Sequence, residues 1–238
     1  MKKQLLPLIL VFFPLSFCFG QNLVPNPSFE YTAYCVTGPG EMPASLGWES
    51  YADTPDYFNP CTSDPYVSVP YNWGGYQQPA SGNAYSALGT FCSNCGGSLP
   101  NIREFIGRPL SSPLSVGTKY YVSFKVILSI SSTIWANCAT NNIGAGFTTS
   151  PYHWSTNPLA VTNNPKVYSN SIITDTLNWT QIFGSFKADS AYQYIVLGNL
   201  FDDSSTDTLI VDSSASPYPN CSAYYYIDDV CVSTDSAY

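Results

Sequence analysis

The residues of this chain that could do chemistry are one histidine, a few carboxylates and a set of loop aromatics. His153 is the only histidine. A His-rich metal centre is therefore excluded, and any catalytic triad would have to use it. It stands in Pro151-Tyr152-His153-Trp154, after a strand-like run, where a surface position is the plainer reading. Glycoside hydrolysis needs two carboxyl groups about 5–9.5 Å apart across the scissile bond. Glu41, Glu49 and Glu104 are available outside Glu30, and no motif pairs any of them with an aspartate on one strand. No GxSxG, HExxH or P-loop occurs. Asp202-Asp203-Ser204-Ser205-Thr206-Asp207 resembles half of an EF-hand loop. It lacks the sixth-position glycine and the closing glutamate, and reads as a solvated loop. Enzymatic activity is not expected. The loop aromatics point elsewhere. Tyr71, Trp73, Tyr76, Trp135, Tyr152 and Trp154 stand beside Gly, Asn or Pro. Flat rings pack on the C–H face of a sugar, and amides such as Asn72 and Gln77, with His153, can bond its hydroxyls. The competing role for each ring is to close an end of the core.

Strands must position these loops. Runs rich in β-branched and aromatic residues, bounded by Gly, Pro, Asn or Asp, predict strands at Leu23–Tyr31, Ala84–Phe91, Ile102–Arg108, Lys119–Ile130, Asn142–Thr149, Trp179–Lys187, Gln193–Leu200 and Tyr224–Val232. In Lys119–Leu128, the residues Tyr120, Val122, Phe124, Val126 and Leu128 form a fully apolar alternate set. Phe29, Tyr121, Phe124, Phe183 and Phe186 sit at strand positions and are expected in the core. No helical stripe exceeds two turns. Short antiparallel strands with long loops imply an all-β fold, a β-sandwich and specifically a jelly roll. Ala33–Gln78 is a long Pro-rich stretch of the kind that is functional or stapled.

Composition agrees. Of 238 residues, 10% are charged and 16% aromatic, with Tyr 19, Pro 19 and Gly 16. So low a charge excludes a coiled coil or a Lys/Glu-rich bundle, and 45% hydrophobic content excludes disorder. A net charge of −8 without a basic cluster excludes nucleic acid as a partner. Lys2 and Lys3, the apolar run Leu5–Phe13 and small residues up to Gly20 make residues 1–20 a signal peptide, with cleavage after Gly20. Leu15-Ser16-Phe17-Cys18 approaches a lipobox, but Phe17 is too large for the position before a lipidated cysteine. The run is too short for a transmembrane span. Residues 21–238 then form one secreted or cell-surface domain. Its seven cysteines would meet an oxidising compartment, where disulfides are the default. Seven is odd, so one thiol is left over or paired between chains. Proximity in sequence suggests Cys35–Cys61, Cys92–Cys95 and Cys221–Cys231, leaving Cys138 free.

The two ends carry a resemblance. The opening Asn22-Leu23-Val24-Pro25-Asn26-Pro27-Ser28-Phe29-Glu30 and the closing Tyr224-Tyr225-Tyr226-Ile227-Asp228-Asp229-Val230 resemble the galactose-binding-like jelly roll of many carbohydrate-binding modules. Between them, Gly47-Trp48, Thr54-Pro55-Asp56-Tyr57-Phe58, Ser81-Gly82-x-Ala84-Tyr85 and Arg103-Glu104-Phe105-Ile106 resemble N-terminal modules of surface proteins of gliding, Gram-negative bacteria. Such modules are commonly followed by further domains, whereas this sequence stops six residues after Val232. It would be a stand-alone module or part of a longer product. The resemblance implies adjacent terminal strands holding a structural calcium, with Glu30, Asp228 and Asp229 as ligands. It implies a non-catalytic module for a glycan or polysaccharide. The alternative is an adhesive surface module with a protein partner, and a hydrolase or lyase on the same fold is the third reading.

Overall fold

The computed structural model describes residues 21–93, 99–151 and 162–236. The expected signal peptide lies outside these residues, as do Cys95, Tyr152, His153 and Trp154. The first half of the chain forms β1 (Glu49–Ala52), β2 (Asp56–Phe58), β3 (Tyr71–Asn72), β4 (Gly75–Tyr76), β5 (Tyr85–Cys92), β6 (Phe105–Pro109) and β7 (Lys119–Ser129). The second half adds β8 (Cys138–Thr140), β9 (Ile143–Thr148), β10 (Val167–Tyr168), β11 (Thr180–Lys187), β12 (Tyr194–Asn199), β13 (Thr208–Ile210) and β14 (Ser222–Ser233). The fold is an antiparallel β-sandwich of the jelly-roll kind. One sheet runs β1-β6-β12-β9-β10 and the other β11-β7-β14-β5-β2. The hairpin β3-β4 and the pair β8-β13 complete it. No described helix is long and apolar enough to cross a membrane.

Period two dictates the core. Tyr120, Val122, Phe124, Val126 and Leu128 of β7 are all buried, because alternate side chains of a strand share one face. On β14, Tyr225 and Ile227 take one face and Tyr224 and Tyr226 the other, and all four are buried. The second of these faces looks outward, and the long stretch before β5 folds over it. Ser129 Oγ donates to the Gly74 carbonyl at 2.7 Å, and Tyr226 Oη to Asn72 Oδ1 at 2.7 Å. The approach is so close that a Cβ on Gly74 would collide with the Tyr226 hydroxyl. Glycine is required there by contact rather than by conformation.

Three expectations need correction. Leu23–Tyr31 is not a strand but a series of bends and turns. Pro25 and Pro27 offer no N–H to a ladder, and Asn26 and Phe29 take positive φ of 47° and 61°. The segment still runs beside β14, where Leu23 N donates to the Val232 carbonyl at 2.7 Å. Phe183 and Tyr121 are not in the core: Tyr121 is half-buried on the face of β7 opposite the apolar set. Phe183 shares a face with Gln181 on β11, an outer strand of its sheet, and is 77% exposed. The Cys221–Cys231 pair does not form. Cys221 is bonded to Cys138, and Cys231 is a buried free thiol. The reason is register: β14 places Cys231 opposite Ser123 of β7, far along the strand from Cys221. Cys35–Cys61 is formed as expected, and Cys92 is disulfide-bonded.

Candidate functional site

Strand register brings the site together. Asp56 of β2 stands opposite Ala87 of β5, and Tyr224 of β14 stands opposite Gly89. Ala87, Gly89 and Phe91 share a face, so Asp56, Tyr224 and Phe91 all project outward on the same side of the sheet. The segment before β6 then runs along β5, with Glu104 N donating to the Gly89 carbonyl at 2.8 Å. This adds Arg103 and Glu104. Trp73, at the turn of the β3–β4 hairpin, closes the other side. The result is a cleft of about 430 Å³ with aromatic walls and an acidic floor, within the range of small-ligand sites.

Its electrostatics follow from burial. Asp56 is 2% exposed. It accepts from Gly40 N at 2.7 Å and from the Tyr224 hydroxyl through a short contact. Burial pushes its carboxyl up to about 6. Glu104 accepts from Gly89 N at 2.6 Å and Thr54 Oγ1 at 3.3 Å. Burial, and then the charge of Asp56, push it up to about 8. Burial also raises the Tyr224 phenol, with the two carboxylates adding to it. Arg103 is 2% exposed and is the only cation among the lining residues. Its charge is spent on Asp203 at 2.7 Å, and its guanidinium lies over the Phe91 ring at 5.4 Å. Among the described residues, two buried donors lack a hydrogen-bond partner, Arg103 Nε and Trp73 Nε1. Buried polar groups are normally bonded, so these two, on residues that line the cleft, are exceptions among the described residues.

Of the aromatics and amides singled out in the sequence, Trp73 alone among those described lines this cleft. Tyr71 and Tyr76 sit on the hairpin beside it, 70% and 56% exposed, with rings edge-on at 4.9 Å. Asn72 is an internal brace, donating to the Tyr85 hydroxyl at 2.8 Å and accepting from Gly74 N at 2.9 Å. Gln77 is buried, and its amide donates to the Gln78 carbonyl. Trp135 packs edge-on against Tyr218 at 5.3 Å, outside the cleft, while its neighbour Ile134 lines it. Asp56, Phe91, Arg103, Glu104 and Tyr224 were not singled out as ligand residues. The available signal was a charged pair, Arg103-Glu104, set between apolar Ile102 and Phe105 in a chain with few charges.

The three carboxylates at the chain ends form a different arrangement. Asp228, fully buried, accepts from Ala80 N at 2.9 Å, Ser81 N at 3.1 Å and Asp229 N at 2.7 Å. Burial and the neighbouring Asp229 charge still push it up to about 8. Asp229 meets Lys125 Nζ at 2.9 Å and accepts from the Ser28 and Ser81 hydroxyls, and it is held below the usual carboxylate range by these partners in spite of its burial. Glu30 accepts from Asn83 N at 2.8 Å and Ala84 N at 2.9 Å. Calcium takes six to eight oxygen ligands. Here the lone pairs face N–H, O–H and ammonium donors, so an ion would have to displace Lys125 or the loop amides. As arranged, this donor set does not fit a calcium cage. It is a clasp that ties the 80–84 loop to both chain ends. Gly82 is part of it: at φ +62° it lies against Glu30, and a Cβ would strike the carboxylate.

No protein-family model and no curated protein matches the chain. Solved structures resemble it at low scores. The CBM22-1 and GH10 modules of a Clostridium thermocellum endo-1,4-β-D-xylanase, complexed with xylohexaose, align at 12% identity and TM-score 0.41. That alignment covers 89% of this chain and 28% of that one. A Bacteroides thetaiotaomicron protein described as sugar-binding aligns at 12% identity and TM-score 0.40, over 90% of this chain and all of its own. The K1 cleaved adhesin domain of Lys-gingipain from Porphyromonas gingivalis aligns at 14% identity and TM-score 0.36, covering 86% and 94%. The chain thus spans little more than a quarter of the xylanase fragment.

Proposed function

We propose that this chain is a non-catalytic carbohydrate-binding module, secreted or held at the cell surface, and that the cleft around Trp73 is its glycan site. The observation that carries the reading is the cleft itself. Trp73, Phe91 and Tyr224 supply apolar faces for a sugar ring. Asp56 and Glu104 offer acceptors, and Trp73 Nε1 and Arg103 Nε are donors without partners. A ligand that presents an apolar face together with hydroxyls on its rim answers all three at once. Disulfides at Cys35–Cys61 and Cys138–Cys221 support an oxidising, extracytoplasmic location.

The test is a glycan array followed by titration calorimetry on the protein, with Trp73→Ala as the variant. Selective binding is expected, weakened about 100-fold by loss of the indole, since a central aromatic contact is worth about 2–3 kcal/mol. Binding that survives Trp73→Ala but falls on mutation of Tyr71 or Tyr76 would move the site to the exposed hairpin. A well-folded protein that binds no glycan would refute the reading.

A further inference from the structure

We propose that the cleft selects a cationic glycan, one whose sugar carries a free amine, as in oligomers of glucosamine, rather than a neutral or N-acetylated one. The inference rests on the glycan reading of this cleft and names the class of sugar. Three carboxylate side chains, Asp53, Asp56 and Glu104, line one cavity. The only lining cation among the described residues, Arg103, is already neutralised by Asp203 at 2.7 Å. A carboxyl floor between aromatic walls answers an amine twice: Glu104, which burial leaves holding its proton near neutral pH, can pass it to the amine and pair with the ammonium so formed, and the ring faces attract that cation.

Lone-pair capacity points the same way. A carboxylate has about four acceptor sites. Asp56 spends two of them on Gly40 N and the Tyr224 hydroxyl, and Glu104 spends two on Gly89 N and Thr54 Oγ1. No further donor to either carboxyl group is found among the described residues, and both residues line the cavity. An ammonium brings three N–H donors and a positive charge. Its sugar ring would stack on Trp73, which lines the same cavity. Acetylation would remove the basic nitrogen that takes up the proton and leave no cation to pair with the carboxyl groups.

The experiment compares glucosamine hexamer, N-acetylglucosamine hexamer, cellohexaose and pentalysine by titration calorimetry at pH 7. The variants are Glu104→Gln, Asp53→Asn and Trp73→Ala. Asp53 is exposed at φ +55°, which asparagine tolerates, so this variant keeps the fold. Glucosamine hexamer should bind at least about tenfold tighter than its acetylated form. Glu104→Gln and Asp53→Asn should each reduce that preference, and Trp73→Ala should abolish binding. Equal or tighter binding of a neutral hexamer, lost in Trp73→Ala, would overturn the cationic preference while leaving the glycan site standing. Pentalysine competing as well as glucosamine hexamer would reduce the effect to non-specific acidity and also overturn it. Failure of every hexamer would remove both this inference and the function it rests on.

Discussion

Two groups of carboxylates lie on the same fold and are treated in opposite ways. At the chain ends, Asp228 is held by three backbone amides, Glu30 by two, and Asp229 by Lys125 and two hydroxyls. In the cleft, Asp56 and Glu104 receive one backbone amide each and one hydroxyl each, and no lysine or arginine. Both groups suffer desolvation, so burial alone does not distinguish them. Compensation does. The first group meets its lone pairs with donors of the protein and so acts as structure, although burial and the Asp229 charge still push Asp228 up to about 8. The second has fewer protein donors and lines a cavity, which is the condition for binding something else.

Removing a clasp carboxylate is the strongest way to break this contrast. Asp228→Ala strands the amides of Ala80, Ser81 and Asp229, and should cost about 2–3 kcal/mol in chemical denaturation. No loss would show that the clasp is not structural. A cleft carboxylate should do the reverse. Glu104→Gln is expected to stabilise the protein at pH 8 by about 1–2 kcal/mol, because it deletes a charge held in a poorly solvated place. The same physics gives a pH dependence. Asp56, Glu104 and Asp228 have folded values of about 6, about 8 and about 8, above those of the unfolded chain. The folded state therefore keeps protons that the unfolded state has released. Stability falls as pH rises from about 4 to about 8. Melting temperatures at pH 5 should exceed those at pH 8, and the gap should narrow in Glu104→Gln. Lys125→Met should cost less, about 0.5–1 kcal/mol, since the ion pair with Asp229 is partly solvated. Smallest of all is the effect of a chelator, which should leave the melting temperature unchanged. A clear fall would put a cation in the clasp.

How much of this could be read from the sequence depends on the range of the interactions involved. The apolar face of β7 was legible because alternation is local and every second residue from Tyr120 to Leu128 obeys it. In the second half β9, β11, β12 and β14 were likewise placed to within a few residues, whereas the two- and three-residue strands β8, β10 and β13 were not. β1, β2 and the β3–β4 hairpin were not legible. They are two to four residues long and exist through their partners, as when Asp56–Phe58 pairs with Tyr85–Ala87. The cleft was missed for the same reason. Asp56 and Glu104 belong to different segments and meet only because both flank β5. The cysteines repeat the lesson. Cys138 and Cys221 are separated by 83 residues, so proximity in sequence pointed to the wrong partner. Trp73 was found because a tryptophan in a Gly/Asn turn is conspicuous by composition alone.

The most direct test of the contrast is a nitrogen–proton correlation spectrum recorded while glucosamine hexamer and cellohexaose are added. The five tryptophans give five indole signals, and the amides of Ala80 and Ser81 report on the clasp. Saturable movement of the Trp73 indole and the Gly89 amide, with Ala80 and Ser81 still, is the predicted result. Shifts centred on Ala80 and Ser81, or none at Trp73, would contradict it.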